Sequence, residues 1–145
     1  MSSTLMKDSS HIKDISKKYA ISADTLRHYL RIGLLSPQKD TSGYHQFAKQ
    51  DEKVLRFILD ARELGFTLQD IRQLITDSEQ GHSPCPNARQ LIELRLSQSR
   101  KKLASLQALV NRMEKATESW KTLPDCEPCG AHICHLIEGA LHEPS

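Results

Sequence analysis

From residue 11 the apolar positions recur at helical spacing: Ile12, Ile15 and Tyr19 share one face. Ala20-Ile21 then gives a tight turn before Ser22, a residue suited to capping a second helix. On that helix Leu26 and Leu30, continued by Leu34 beyond Gly33, make the stripe expected to be buried, so Thr25, Arg27, His28 and Arg31 fall on the free face. Gly33 follows the last periodic residue and suits a left-handed helix end. Ser36-Pro37 through Thr41-Ser42-Gly43 has turn chemistry, and Tyr44-His45-Gln46-Phe47 alternates like a short strand. The economical reading is a helix-turn-helix with a hairpin wing, a shape that docks on double-stranded DNA.

The helical pattern resumes at Asp51, where Val54, Leu55, Phe57, Ile58, Ala61 and Leu64 form a broad apolar face that stops at Gly65. Thr67-Leu68-Gln69-Asp70 resembles a capping box with Asp in place of Glu, and Leu68, Ile71, Leu74 and Ile75 give the next buried side. Thr76 to Pro84 lacks apolar periodicity and reads as a polar hinge. Between Pro86 and Pro124 there is neither Gly nor Pro, and Ile92, Leu96, Ser99, Leu103, Leu106, Val110, Met113, Thr117 and Trp120 recur at alternating steps of four and three. That is a coiled-coil seam. At roughly 35 residues and about 50 Å it is too long to bury itself against so small a domain, so a partner helix is expected, parallel or antiparallel. The expected organisation is a flexible tail at 1–10, a DNA-binding domain at 11–80, a dimerisation helix at 85–122, and a loop with a short terminal helix at 123–145.

Composition narrows the class. The 145 residues are 38% hydrophobic and 5% aromatic, enough for one modest core, and no long apolar run suggests a membrane span. The polar residues 1–10 fit neither a signal peptide nor an anchor, so the cytoplasm is the expected compartment. Net charge is only +2, but Lys7, Lys13, Lys17, Lys18, Arg27, Arg31, Lys39 and Lys49 outnumber the acids in the first fifty residues. That asymmetry is a DNA footprint, with Lys17 and Lys18 the tail-side candidates.

Arg27-His28-Tyr29, Gly33-Leu34-Leu35, Pro37, Gly43-Tyr44 and Phe47 follow the series R-Y-Y-x-x-x-G-L-L-x-P and G-Y-R-x-Y, and in this the chain resembles the MerR family of bacterial transcription regulators. The departures are Ala20 for the turn Gly, Leu30 for a Glu, and His45 for the wing Arg. The resemblance implies DNA contacts from Tyr29, Tyr44 and His45 as well as the free face. It also places Arg62, in Arg62-Glu63-Leu64-Gly65-Phe66-Thr67-Leu68, against the DNA backbone, although a surface ion pair is the alternative. Antiparallel homodimerisation and contact with RNA polymerase are implied in the same way.

Cys85 precedes the long helix, and Cys126, Cys129 and Cys134 follow it with His132 and His135 in a loop made sharp by Pro124, Pro128 and Gly130. Thiols and imidazoles so close suit a soft metal ion, and a stable structural disulfide is disfavoured in the cytosol. The long helix keeps Cys85 from the loop of its own chain, whereas an antiparallel dimer would bring it to the partner's loop. This resembles the metal-sensing branch of the MerR family. Cys85 matches the helix-start Cys of divalent-metal sensors and Cys134 the second loop Cys, while Trp120 stands where the first loop Cys is expected. The Cys126 to Cys134 interval equals that of the copper(I) branch, but four candidate thiolates favour zinc, cadmium or a similar divalent ion. Leu136-Ile137-Glu138-Gly139-Ala140-Leu141 reads as a short amphipathic helix packing its Leu and Ile.

The expected protein is mainly α: a winged helix-turn-helix DNA-binding domain, a long antiparallel coiled-coil dimerisation helix and a Cys-rich loop. It is expected to be a metal-responsive activator without catalysis or organic cofactor, acting by bending and untwisting promoter DNA, as the resemblance implies. One alternative is a regulator answering redox or organic signals, with redox cysteines or a structural zinc. The other is a thiol-disulfide oxidoreductase using Cys126 and Cys129, disfavoured because no strand-helix setting surrounds that pair.

Overall fold

The computed structural model describes residues 11–127 and 130–140. The expected tail at 1–10 and the candidate ligand Cys129 lie outside the described residues. Six helices and one hairpin follow in chain order among those residues: α1 (Ile12–Tyr19), α2 (Ala23–Arg31), β1 (Gln38–Lys39), β2 (His45–Gln46), α3 (Lys49–Glu63), α4 (Leu68–Glu79), α5 (Cys85–Trp120) and α6 (His135–Ala140). None of the helices is long and apolar enough to cross a membrane.

The helix-turn-helix is built as its residues dictate. α1 ends on Ala20 in the left-handed conformation, φ 54° and ψ 42°. For a residue with a Cβ that conformation costs about 1–2 kcal/mol, so the turn is imposed by the packing of α1 on α2 rather than by local preference. Ser22 caps α2 by accepting from the Thr25 N–H at 3.0 Å. Past Ile32 the chain needs a positive φ, which Gly33 supplies at 82°. Leu34 can then donate back to the Tyr29 carbonyl at 3.0 Å, and the Arg72 guanidinium reaches across from α4 to the Ile32 carbonyl.

β1 and β2 pair antiparallel, Gln38 with Gln46 and Lys39 with His45. So short a hairpin is held by its turn: one oxygen of the Asp40 carboxylate accepts the Ser42 N–H at 2.9 Å and the Tyr44 N–H at 3.0 Å. Beyond the wing Phe47 is fully buried with Ile15, Leu26, Leu55, Ile58 and Ile71, which places the core among α1, α2, α3 and α4.

At α3 the Asp51 carboxylate accepts the Ala48 N–H at 2.8 Å. The α4 capping box forms in full, with Thr67 and Asp70 each accepting the other's N–H at 3.0 Å. Asp70 does more than cap. Although 6% exposed, its carboxylate takes two hydrogen bonds of 2.7 Å from the Arg95 guanidinium of α5. Asn87 of α5 likewise donates to Asp77 at 2.7 Å, and Ala88, Leu91 and Ile92 pack on the core. The compact amino-terminal unit runs to Arg95 and so takes in the start of α5. Ile92, expected in the seam, is partly buried against this core.

Arg95 foremost, with help from Thr67 and against the effect of burial, pulls the Asp70 carboxyl down from 3.8 to about 2. A depressed carboxylate stabilises the fold above its ordinary range and loses that contribution as pH falls toward its folded value. Asp70→Asn should therefore cost about 2 kcal/mol at neutral pH. The difference from the parent should shrink between about pH 5 and pH 2. Urea titrations across that window check it, and a pH-independent difference would mean that the ionised pair is not what stabilises α4 on α5.

The second unit runs from Leu96 onward. Along α5 its apolar side chains are exposed, Leu103 at 66%, Leu106 at 57% and Met113 at 56%. The Trp120 indole N–H donates to the Leu136 carbonyl at 3.2 Å, so this residue too is engaged within its own chain. Ile137, expected to pack, is 63% exposed, because six residues of α6 make too few turns to bury a second face.

Candidate functional site

Two groups of the expected site residues come together, one around α2 and the wing, the other in the loop after α5. On α2, Arg27 is exposed and lies 3.3 Å from Asp24, a pairing too solvated to restrain it strongly. Arg31 donates to Nδ1 of His28 at 3.1 Å. Because a guanidinium only donates, Nδ1 must carry the lone pair and the His28 proton sits on Nε2. Thr25 is half-buried with its hydroxyl 2.8 Å from that of Ser22, so it completes the cap as much as it faces outward.

Tyr29, expected at the DNA, is only 6% exposed and packs within the core. It lies three residues beyond Leu26, on the same helical face, so its ring turns inward. Lys17 is exposed as expected. Lys18 is drawn into a contact with α3, its ammonium 2.7 Å from Glu52, which also accepts from the Tyr19 hydroxyl at 2.9 Å. That carboxylate raises the Lys18 pKa.

At the wing Tyr44 is 65% exposed and free to meet a ligand. His45 is half-buried and its Nδ1 has no hydrogen-bond partner. Arg62 donates to the Phe66 carbonyl at 2.9 Å, closing the end of α3; neither of its expected roles includes this bond. His11, Lys13, Arg27, Tyr44 and His45 line one open pocket of ≈ 690 Å³. Two partners in this region were not legible beforehand. His11 Nε2 lies 2.9 Å from the second Asp40 oxygen, and the His11 and Tyr44 ring centroids are 5.9 Å apart. The Asp40 carboxyl is held below its ordinary range, first by the Tyr44 N–H and then by Ser42 and His11, against burial. Turn chemistry signalled Asp40; nothing local signalled His11.

In the loop, Cys126, Cys134, His132 and His135 line a second pocket of ≈ 520 Å³ together with Asp125 and Glu127. Glu138 accepts the Cys134 N–H at 2.8 Å and lies 3.7 Å from His132 Nδ1. His135 Nε2 donates to the Pro124 carbonyl at 2.9 Å, which leaves Nδ1 as the ring's lone-pair atom. Cys85, Cys126 and Cys134 are free thiols. Among the described residues no three His, Cys, Asp or Glu side chains form a group that could hold a metal ion.

Residues 11–78 match the model described as MerR HTH family regulatory protein, and residues 53–116 the one described as MerR, DNA binding, so together they span 11–116. The chain is 28% identical over 118 residues to the HTH-type transcriptional regulator HmrR of Rhizobium leguminosarum bv. viciae, covering 80% of this chain and 92% of that one. It is 25% identical over 119 residues to the mercuric resistance operon regulatory protein of Bacillus cereus, covering 81% and 90%. Among solved structures, a MerR family transcriptional regulator from Bacillus cereus superposes with a TM-score of 0.70 at 20% identity, covering 82% of this chain and 87% of that one.

Proposed function

This chain belongs to the MerR family of helix-turn-helix transcription regulators, and from that premise we propose that it is a cytoplasmic homodimer that grips promoter DNA and answers a thiophilic metal ion. The observation that carries the reading is the joint placement of exposed Arg27 on α2 and exposed Tyr44 on the wing around one open pocket. Two such faces, one per subunit, would meet successive turns of the duplex. The exposed row Leu96, Leu103, Leu106, Val110 and Met113 supports pairing of α5 with a second copy, antiparallel as in the family. Lys17, Arg31 and His28 would add backbone or groove contacts, and Arg62 could offer a phosphate the donors its Phe66 bond leaves over.

For the effector, the donor chemistry is soft: Cys126 and Cys134 share a pocket with two imidazoles. A divalent thiophilic ion such as zinc takes three or four such ligands, and Cys129 and the helix-start Cys85 of a second subunit are the thiols that would complete the set. A relative named for mercuric resistance supports a metal signal. Binding would change the geometry between subunits and so the bend and twist of the promoter, on which RNA polymerase then acts.

Arg27→Ala should weaken binding to a duplex enriched by the chain from random-sequence DNA by about 1–3 kcal/mol, with the dimer intact. Electrophoretic mobility shift over a range of salt reads this. Unchanged affinity in a folded variant would remove α2 from the interface.

A further inference from the structure

The wing has only two paired residues in each strand, which by itself does not hold a hairpin at a fixed angle. Its turn uses one Asp40 oxygen for the Ser42 and Tyr44 N–H groups, and the other meets His11 Nε2 at 2.9 Å. His11 immediately precedes α1 in extended backbone, so this contact ties the start of the first helix to the tip of the hairpin. The His11 ring also lies against that of Tyr44, at 5.9 Å between centroids and tilted by 37°. His11, Arg27 and Tyr44 border the same open pocket.

We propose that His11 is a positioning residue for DNA binding: through Asp40 it sets the wing so that Tyr44 and Arg27 reach duplex DNA together. Nε2 lies 2.9 Å from the carboxylate oxygen without the alignment of a hydrogen bond, so the two groups meet by close electrostatic approach rather than through a directed N–H bond. Lys13 and Arg27 are the other charged groups lining the pocket, and Asp40 is the anion His11 faces. Removing the imidazole leaves the Asp40 turn intact, because the two N–H bonds to its other oxygen do not involve His11. The wing would then swing and lose register with α2.

The inference rests on the DNA-binding reading, and the experiment separates the two. The full chain first enriches a duplex from a random-sequence pool; if the parent enriches none, the DNA-binding reading fails. With that duplex in hand, His11→Ala should bind about fivefold more weakly. His11→Phe, which keeps a ring against Tyr44 but no group to meet Asp40, should stay about as weak as His11→Ala. The readout that a purely structural role would not move is coupling: Tyr44→Phe and Tyr44→Ala should cost much less affinity in the His11→Ala background than in the parent. Parent-like binding by folded His11→Ala, or additive effects of His11→Ala and Tyr44→Ala, overturns the proposal.

Discussion

Leu106→Asp should abolish the dimer, leaving monomer or unfolded chain. Leu106 is 57% exposed within its own chain, and Leu103, Val110 and Met113, spaced three, four and seven residues from it, share its stripe and its exposure. Pairing this row with a second copy would enclose it between two apolar faces, and an unpaired carboxylate there costs several kcal/mol. Because Leu106 lies outside the amino-terminal core, that unit should keep its helical signal while sedimentation shifts to the monomer mass. A folded dimer of normal affinity would mean that this row does not form the seam.

Mixed dimers carry the second large effect. α5 has 36 residues, about 54 Å at helical rise, with Cys85 its first residue, and the loop cysteines follow its last. In the proposed antiparallel dimer, a site shared by these thiols would draw on both subunits. If Cys85→Ser subunits are paired with subunits lacking Cys126, Cys129 and Cys134, one of the two sites loses every thiol and the other keeps them all. Zinc titration against a chelator should find about one tight site per mixed dimer and almost none in either parent homodimer. Two equal, weakened sites would place Cys85 with the loop of its own subunit. Tight binding that survives Cys85→Ser would leave a loop-only site, as in the structural-zinc reading.

Much of the DNA-binding unit was legible in the chain because its signals are local. Ser22, the Thr67–Asp70 pair and Gly33 act within a few residues of themselves, and each adopts the expected role. The apolar periodicity of α1 to α4 likewise foretold the buried Ile15, Leu26, Leu55, Ile58, Ile71 and Leu74. Tyr29, which the family motif points toward DNA, is buried among the core residues, a placement that the Leu26–Leu30–Leu34 stripe does not announce. Ile92 and Trp120 fit the four-three repeat as well as Leu103 does, yet one packs on the core and the other bonds to Leu136. Periodicity names a face without saying what covers it.

The sequence by itself determined the order of the helices and the wing and roughly where each lies, which faces are apolar, and that thiols gather after the long helix. Only the tertiary structure decided the cross-element partners: Asp70 with Arg95, 25 residues apart, Lys18 with Glu52, 34 apart, and His11 with Asp40. Caps and stripes are fixed by dihedral geometry over one or two turns, so they can be read in order along the chain. A charged or imidazole side chain chooses its partner only after burial of the core has brought distant elements within hydrogen-bond reach, and nothing local encodes that approach.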